Sequence, residues 1–464
     1  MSVGFYDRSI LMKDLTIGSP AKVLWKFTVP MFLSVVFQQM YSIADSAIAG
    51  QFAGEDALAA IGASYPITMI FMAVAVGVNV GCAVVISQYF GAKIYPKVKT
   101  SSTTTLIAST AAALVLTVFG IIFCRPLLSM VNTPEDIFTD SAVYLRIYTL
   151  GLVFLFVYNV CTGIFTALGD SKTPLMFLIG SSVGNVLLDL LFVAVFKWGV
   201  AGAAWATFIA QGVSCILSVC VILRKLKQIK TEEKAPLFSW RMLCRVSAYA
   251  VPSILQQSFV SVGNIFIQGL VNSYGKSVIA GYSAAIKLNT FAVTSFSTMG
   301  NALSGFCAQS YGAGNRERIR QGFKAGIVMA LIVSVPFIAG YYIYPDVMMR
   351  LFLDKGASPE VLETGREFLK IVAPFYTVVG VKLMADGLLR GTGRMPFFMG
   401  TTFSDLILRV ILAFILSKRL GEARGIWLSW PIGWITAMVV SLIFYAVTMK
   451  QIKRELPQPK KETA

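Results

Sequence analysis

Long apolar runs broken by short clusters of Gly, Pro and charged residues recur along the whole chain. A helix needs roughly 20 mostly apolar residues to cross a bilayer. Twelve stretches meet that requirement, at approximately 23–52, 57–91, 99–123, 141–169, 173–196, 199–223, 246–274, 277–312, 322–344, 364–390, 395–417 and 425–449. They lack the apolar–polar alternation of a barrel strand, and a helix is the other backbone that satisfies its own hydrogen bonds in lipid. The pattern predicts an all-α integral membrane protein with twelve transmembrane helices.

Composition agrees, since 56% hydrophobic and 14% charged residues, with a mean hydropathy of +0.71, leave too much apolar surface for a water-soluble domain. The opening residues, "MSVGFYDRSILMKDLTIGSPAK", contain no basic n-region followed by an apolar h-region, so no signal peptide is expected there and the amino end should stay cytoplasmic. The formal charge of +17 could suggest a nucleic-acid partner. With both termini cytoplasmic, however, most of the 40 Lys and Arg fall on the inner side, which is the topological bias of a cell-membrane protein. No aromatic-basic module for RNA or DNA is found.

Seven cysteines, at 82, 124, 161, 215, 220, 244 and 307, show no CxxC spacing, and histidine is absent. Disulfides, metal cages and cofactors are therefore not expected, nor is an enzyme, because a nucleophile or acid–base set is missing. Proton chemistry would rest on carboxylates.

Internal repeats set the architecture. "SQYFGAK" at 87–93 recurs as "AQSYGAG" at 308–314, "TPEDIFTDSAVYLRI" at 133–147 as "SPEVLETGREFLKI" at 358–371, and "GDSKTP" as "GTGRMP", while Pro30 and Pro252 sit in matching contexts. Six spans per repeat is an even number, so both copies enter the membrane in the same sense. The expectation is two six-helix lobes, 1–223 and 246–449, related by a pseudo-two-fold axis along the membrane normal. A cytoplasmic linker at 224–245 and a cytoplasmic tail at 450–464 complete the chain. Parallel repeats of this kind belong to secondary transporters, with substrate sites near the repeat interface.

Asp45 and Asp189 each lie seven residues before the outer end of a span, roughly 10 Å below the surface at 1.5 Å per residue. Thr207 reaches about the same depth, Asn185 is one turn below Asp189, and Gln38 shares the face of Asp45. In the second half Lys382 and Asp386 are four apart, as are Asp405 and Arg409, the spacing of helical ion pairs. The first-half acids have no basic partner at helical spacing. Intramembrane acids are costly and usually functional, so Asp45 and Asp189 should share a proton, bind Na+ together with Asn185 and Thr207, or face water. Two carboxylates in one buried layer can hold a proton between them. Its arrival removes charge and weakens the hold on an organic cation. Pro30 breaks one backbone hydrogen bond of span one and acts as a hinge or a static kink. Lys287 pairs with Asp386 or Asp405, snorkels to the surface, or contacts an anionic substrate.

"VP" early in span one, "ADS" at its outer end, "ALAAIGAS", "SQYFGAK" and "NVLLD" together resemble the multidrug and toxic compound extrusion (MATE) transporters, over about residues 15–450. The resemblance implies a cation-coupled antiporter, driven by H+ or Na+, that expels organic, cationic or amphiphilic compounds as a monomer by alternating access. In its DinF-like branch the matching positions, Gln38, Asp45, Asn185, Asp189 and Thr207, with Asn159 beside them, form a first-lobe cation network. NorM-like members carry acids in spans seven and ten, where this chain offers Gln256 and Gln257 in the seventh. The rival reading is a flippase for lipids or lipid-linked precursors, which would favour a cavity lined by basic residues.

Overall fold

The computed structural model describes residues 13–48, 52, 54–231, 233–353 and 358–456. Residues 1–12, where no signal peptide is expected, and the tail end 457–464 lie outside them. Regular structure among the described residues is helical. The first half contains α1 (Pro20–Ile48), α2 (Glu55–Gly91), α3 (Tyr95–Ile122), α4 (Cys124–Met130), α5 (Glu135–Leu150), α6 (Leu152–Ala167), α7 (Lys172–Asp189) and α8 (Gly199–Gln228). The second contains α9 (Trp240–Asn272), α10 (Lys276–Gly312), α11 (Arg316–Ile338), α12 (Pro345–Met349), α13 (Pro359–Val372), α14 (Tyr376–Gly391), α15 (Met395–Leu420) and α16 (Arg424–Glu455).

Ten helical stretches among the described residues are long and apolar enough to cross a membrane, and the bent pair α5–α6 makes up to 11. The chain is a multi-pass membrane protein. The expected eighth span, α10, is as long as α2 at 37 residues but is not in that apolar set. Serine, threonine and asparagine interrupt its apolar residues, and Ser295, Gln309 and Ser310 on it are fully buried. A helix packed against α11, α13 and α14 turns those groups to protein rather than to lipid.

Span four, expected as one helix over 141–169, is two helices meeting at Gly151 with a 46° bend. It also starts earlier, at Glu135, where Glu135 and Asp136 in the first turn complement the helix dipole. Span ten is likewise interrupted, by a 3-10 turn at Ala373–Phe375. Pro374 within that turn supplies no amide hydrogen to continue the helix.

Packing divides the chain into two compact units, Met1–Asp14 with Val29–Ile254, and Leu15–Thr28 with Leu255–Ala464. The chain changes unit inside α1 and again inside α9, each time beside a proline, Pro30 and Pro252. In the first unit α2 packs on α3, α5 and α6 around Cys82, Val85, Ile86, Val160 and Ile164. In the second, α10 and α14 meet backbone to backbone, since a Cβ on Gly387 would lie 2.3 Å from the Gly300 carbonyl oxygen. Small residues are what permit such close approach in lipid. Elsewhere in this unit Tyr282 stacks on Trp427 with centroids 5.1 Å apart, and Phe368 meets Trp427 edge-on at 5.3 Å. Such ring pairs contribute about 0.5–1.5 kcal/mol each beyond their buried area.

Candidate functional site

Four helices of the first unit bring their polar residues into one layer. On α1, Tyr41 and Asp45 are four residues apart and therefore share a face; on α7, Asn185 and Asp189 do the same. The Tyr41 hydroxyl donates to Asn185 Oδ1 at 2.5 Å. The carboxyl groups of Asp45 and Asp189 lie close enough to interact. Tyr144 on α5 lies close to both acids, and Thr207 on α8 lies against the Tyr41 hydroxyl while donating to the Ala203 carbonyl at 3.0 Å. Asp189 is the last residue of α7 before a π-helical turn, Leu190–Val195, a local widening often found at functional positions.

Asp189 is 1% exposed, Asn185 2%, and Asp45 is half-buried. Among the described residues neither Asp189 oxygen has a hydrogen-bond donor, and Asn185 Nδ2 has no acceptor. Ionised carboxylates only accept hydrogen bonds, so two facing ones bond to each other only when a proton or a cation lies between them. An uncompensated buried ion costs several kcal/mol. Among the described residues no Lys or Arg is paired with either acid. Tyr144 and Thr207, with Tyr148, Phe208 and Gln211, also line a small cleft between α5 and α8.

The other expected members lie elsewhere. Gln38 is exposed and makes no hydrogen bond to this layer among the described residues. Asn159 turns to its own helix, donating to the Leu155 carbonyl at 2.9 Å. Pro30 sits inside a continuous α1, where Ser34 Oγ donates to the Pro30 carbonyl at 3.0 Å.

In the second unit the acids are paired. Lys382 Nζ lies 2.7 Å from Asp386 Oδ2, and Asp386 Oδ1 accepts from Thr401 at 2.8 Å and Ser441 at 3.1 Å. Arg409 lies 3.5 Å from Asp405 and stacks over Trp430 at 4.4 Å. Lys287 pairs with neither acid; it is exposed, its Nζ 5.9 Å from the Phe352 ring centroid.

Sequence reasoning missed two features. Tyr41 and Tyr144 escaped because a tyrosine on an apolar helix reads as packing, although Tyr41 lies one turn before Asp45. The second is a buried ion pair, Lys225 Nζ donating to Asp170 Oδ2 at 2.5 Å. Asp170 also caps α7, accepting from the amides of Lys172 and Thr173 at 3.1 Å each and from the Thr173 hydroxyl at 2.6 Å. Burial pushes the Asp170 carboxyl up, but hydrogen bonds from Lys225 and Thr173 outweigh it and hold the group below the usual carboxylate range. Among the described residues no three His, Cys, Asp or Glu side chains cluster as metal ligands.

A profile of the MatE family matches residues 30–191 and again 252–415. Probable multidrug resistance protein YpnP of Bacillus subtilis is 26% identical over 433 residues, covering 93% of this chain and 96% of its own. Probable multidrug resistance protein YoeA of the same organism is 29% identical over 435 residues, covering 92% and 93%. Among solved structures, a MOP superfamily transporter from Pyrococcus furiosus superposes with a TM-score of 0.90 at 21% identity, over 96% of this chain and 100% of that one. This last likeness shows the fold.

Proposed function

The chain belongs to the MATE family, and from that premise we propose that it is an antiporter that exports organic, cationic or amphiphilic compounds in exchange for H+ or Na+. The multidrug resistance names of the two Bacillus relatives support this substrate class. In this reading α10, the eighth span, completes a set of twelve, and residues 1–223 and 246–449 form two six-helix lobes about a pseudo-two-fold axis along the membrane normal. The twofold match of the family profile supports the duplication. Residues 224–245 are a cytoplasmic linker and 450–464 a cytoplasmic tail, so that a monomer works in the cell membrane with both termini inside.

The observation that carries the coupling is the proximity of Asp45 and Asp189 with no basic partner among the described residues. When both are ionised the layer attracts an organic cation; when a proton sits between them the attraction falls and α1 and α7 are drawn together. Na+ would use the same oxygens, with Asn185 Oδ1 and the Thr207 hydroxyl as further hard ligands. Tyr41 positions Asn185 for that role, and Pro30 provides the place where α1 bends as the pair changes state. Cation and substrate thus compete for one charged layer, and alternating access follows from which of them is bound.

A flippase for lipids or lipid-linked precursors finds less support, because Lys382 and Arg409 are engaged by Asp386 and Asp405 and leave no cradle for a pyrophosphate. The test is transport in proteoliposomes under an imposed H+ or Na+ gradient, using a fluorescent organic cation. Efflux should follow one of the two gradients and vanish in Asp189→Asn; efflux by that variant at the wild-type rate would remove the coupling site.

A further inference from the structure

One end of the first unit carries positive side chains that no carboxylate among the described residues answers. Arg245, near the start of α9, lays its guanidinium 4.6 Å from the centroid of the Tyr89 ring and donates to the Tyr89 hydroxyl at 2.7 Å and to Gln88 Oε1 at 3.4 Å. Lys97, in the first turn of α3, puts Nζ 5.6 Å from the same centroid. Lys99 reaches the Thr231 hydroxyl at 3.5 Å, and Arg241 lies one turn before Arg245 on α9. Among the described residues no Asp or Glu pairs with Lys97, Lys99, Arg241 or Arg245. One ring attracts two cations here, but a ring quadrupole neutralises neither.

The repeat shows what such a position requires. The displacement that carries "SQYFGAK" onto "AQSYGAG" carries Lys97 onto Arg318. Arg318 also lies over a ring, 5.1 Å from the Phe306 centroid, but it is buried and surrounded by oxygen. It donates to the carbonyls of Leu15 at 3.0 and 2.6 Å, Ile17 at 3.2 Å and Gly18 at 2.7 Å. In the second unit the chain's own backbone answers the cation. In the first unit Lys97 and Arg245 are exposed, and among the described residues no backbone carbonyl accepts from either; Arg245 has only the Tyr89 hydroxyl and Gln88 Oε1.

Location favours a lipid as the source of oxygen. The cluster sits where α2 ends and α3 and α9 begin, and beside it Trp240 and Leu237 are 73% and 72% exposed. An exposed Trp and Leu next to Arg and Lys at helix ends is the pattern of a membrane–water interface. There a guanidinium fork suits the geometry of phosphate oxygens, and clustered cations attract acidic lipids. We infer that Lys97 and Arg245, flanked by Lys99 and Arg241, hold the phosphate of an acidic phospholipid, with Trp240 and Leu237 against its acyl region. This site is independent of the transport reading.

The test titrates the purified full chain in neutral detergent with phosphatidylglycerol, phosphatidylcholine or inorganic phosphate at matched ionic strength and reads the melting temperature. Phosphatidylglycerol should raise it saturably, and the other two should not. The half-saturating concentration should rise about fivefold in each of Lys97→Gln and Arg245→Gln, with basal melting unchanged in Lys97→Gln, and Lys97→Arg should keep the wild-type response. Control substitutions Lys453→Gln and Arg454→Gln on α16 should leave it intact. An undiminished response in the Lys97→Gln, Arg245→Gln double variant, or an equal loss in the α16 controls, would overturn the site. A shift produced by inorganic phosphate alone would overturn the lipid assignment.

Discussion

The Tyr41 hydroxyl on α1 donates to the amide oxygen of Asn185 on α7 at 2.5 Å. This bond ties the two helices together one turn from the two acids and sets the orientation of the Asn185 amide. Tyr41→Phe removes it while keeping the ring, which should lower stability by about 1 kcal/mol. The concentration of H+ or Na+ that half-activates transport should shift, and the melting temperature should fall only slightly. An unchanged cation dependence would show that Tyr41 is packing alone.

Asp45→Asn and Asp189→Asn should abolish gradient-driven export while the variants still insert and fold. A neutral amide is easier to bury than a carboxylate, and no cation is stranded because none among the described residues is paired with either acid. Melting temperature and proteoliposome flux, measured on the same preparations, separate loss of coupling from loss of fold.

The second unit should respond the other way. Asp386→Asn strands Lys382 and removes the acceptor of Thr401 and Ser441, and Asp405→Asn strands Arg409. Breaking a buried pair from one side costs about 3–5 kcal/mol, so a clear drop in melting temperature is expected for both. A stable but uncoupled Asp386→Asn would place an ion site in that unit.

Acid titration should expose the Asp170–Lys225 pair. The folded carboxyl sits below its unfolded value, so its stabilisation is fully present above that value, roughly 3.9, and is lost as pH falls through the folded pKa. Asp170→Asn should melt lower than wild type at neutral pH, with Lys225 left buried alone, and the two melting curves should converge in acid. Parallel curves down to pH 3 would show that Asp170 does not carry this linkage.

How far the sequence could be read follows from how local each feature is. Lys382–Asp386 and Asp405–Arg409 were legible because four residues make one helical turn, and the structure pairs both. Asp45 and Asp189 were legible as costly acids without neighbours. Asp170–Lys225 was not, because it joins a loop to a helix 55 residues away and neither residue interrupts an apolar run. Gln38 shares a helical face with Asp45, yet a face on α1 spans a wide arc, and its side chain points outward while Tyr41 meets Asn185. The bend in span four depends on Gly151, one glycine among 38, with nothing in the local pattern to single it out.

The close approach of α10 and α14 at Gly300 and Gly387 also bears on biogenesis. α10 falls outside the set of strongly apolar helices, and the helices that cover its polar side, α11, α13 and α14, all follow it in the chain. The packing around α10 is therefore complete only once α14 has been made, and a chain ending before Gly387 lacks the surface that Gly300 packs against.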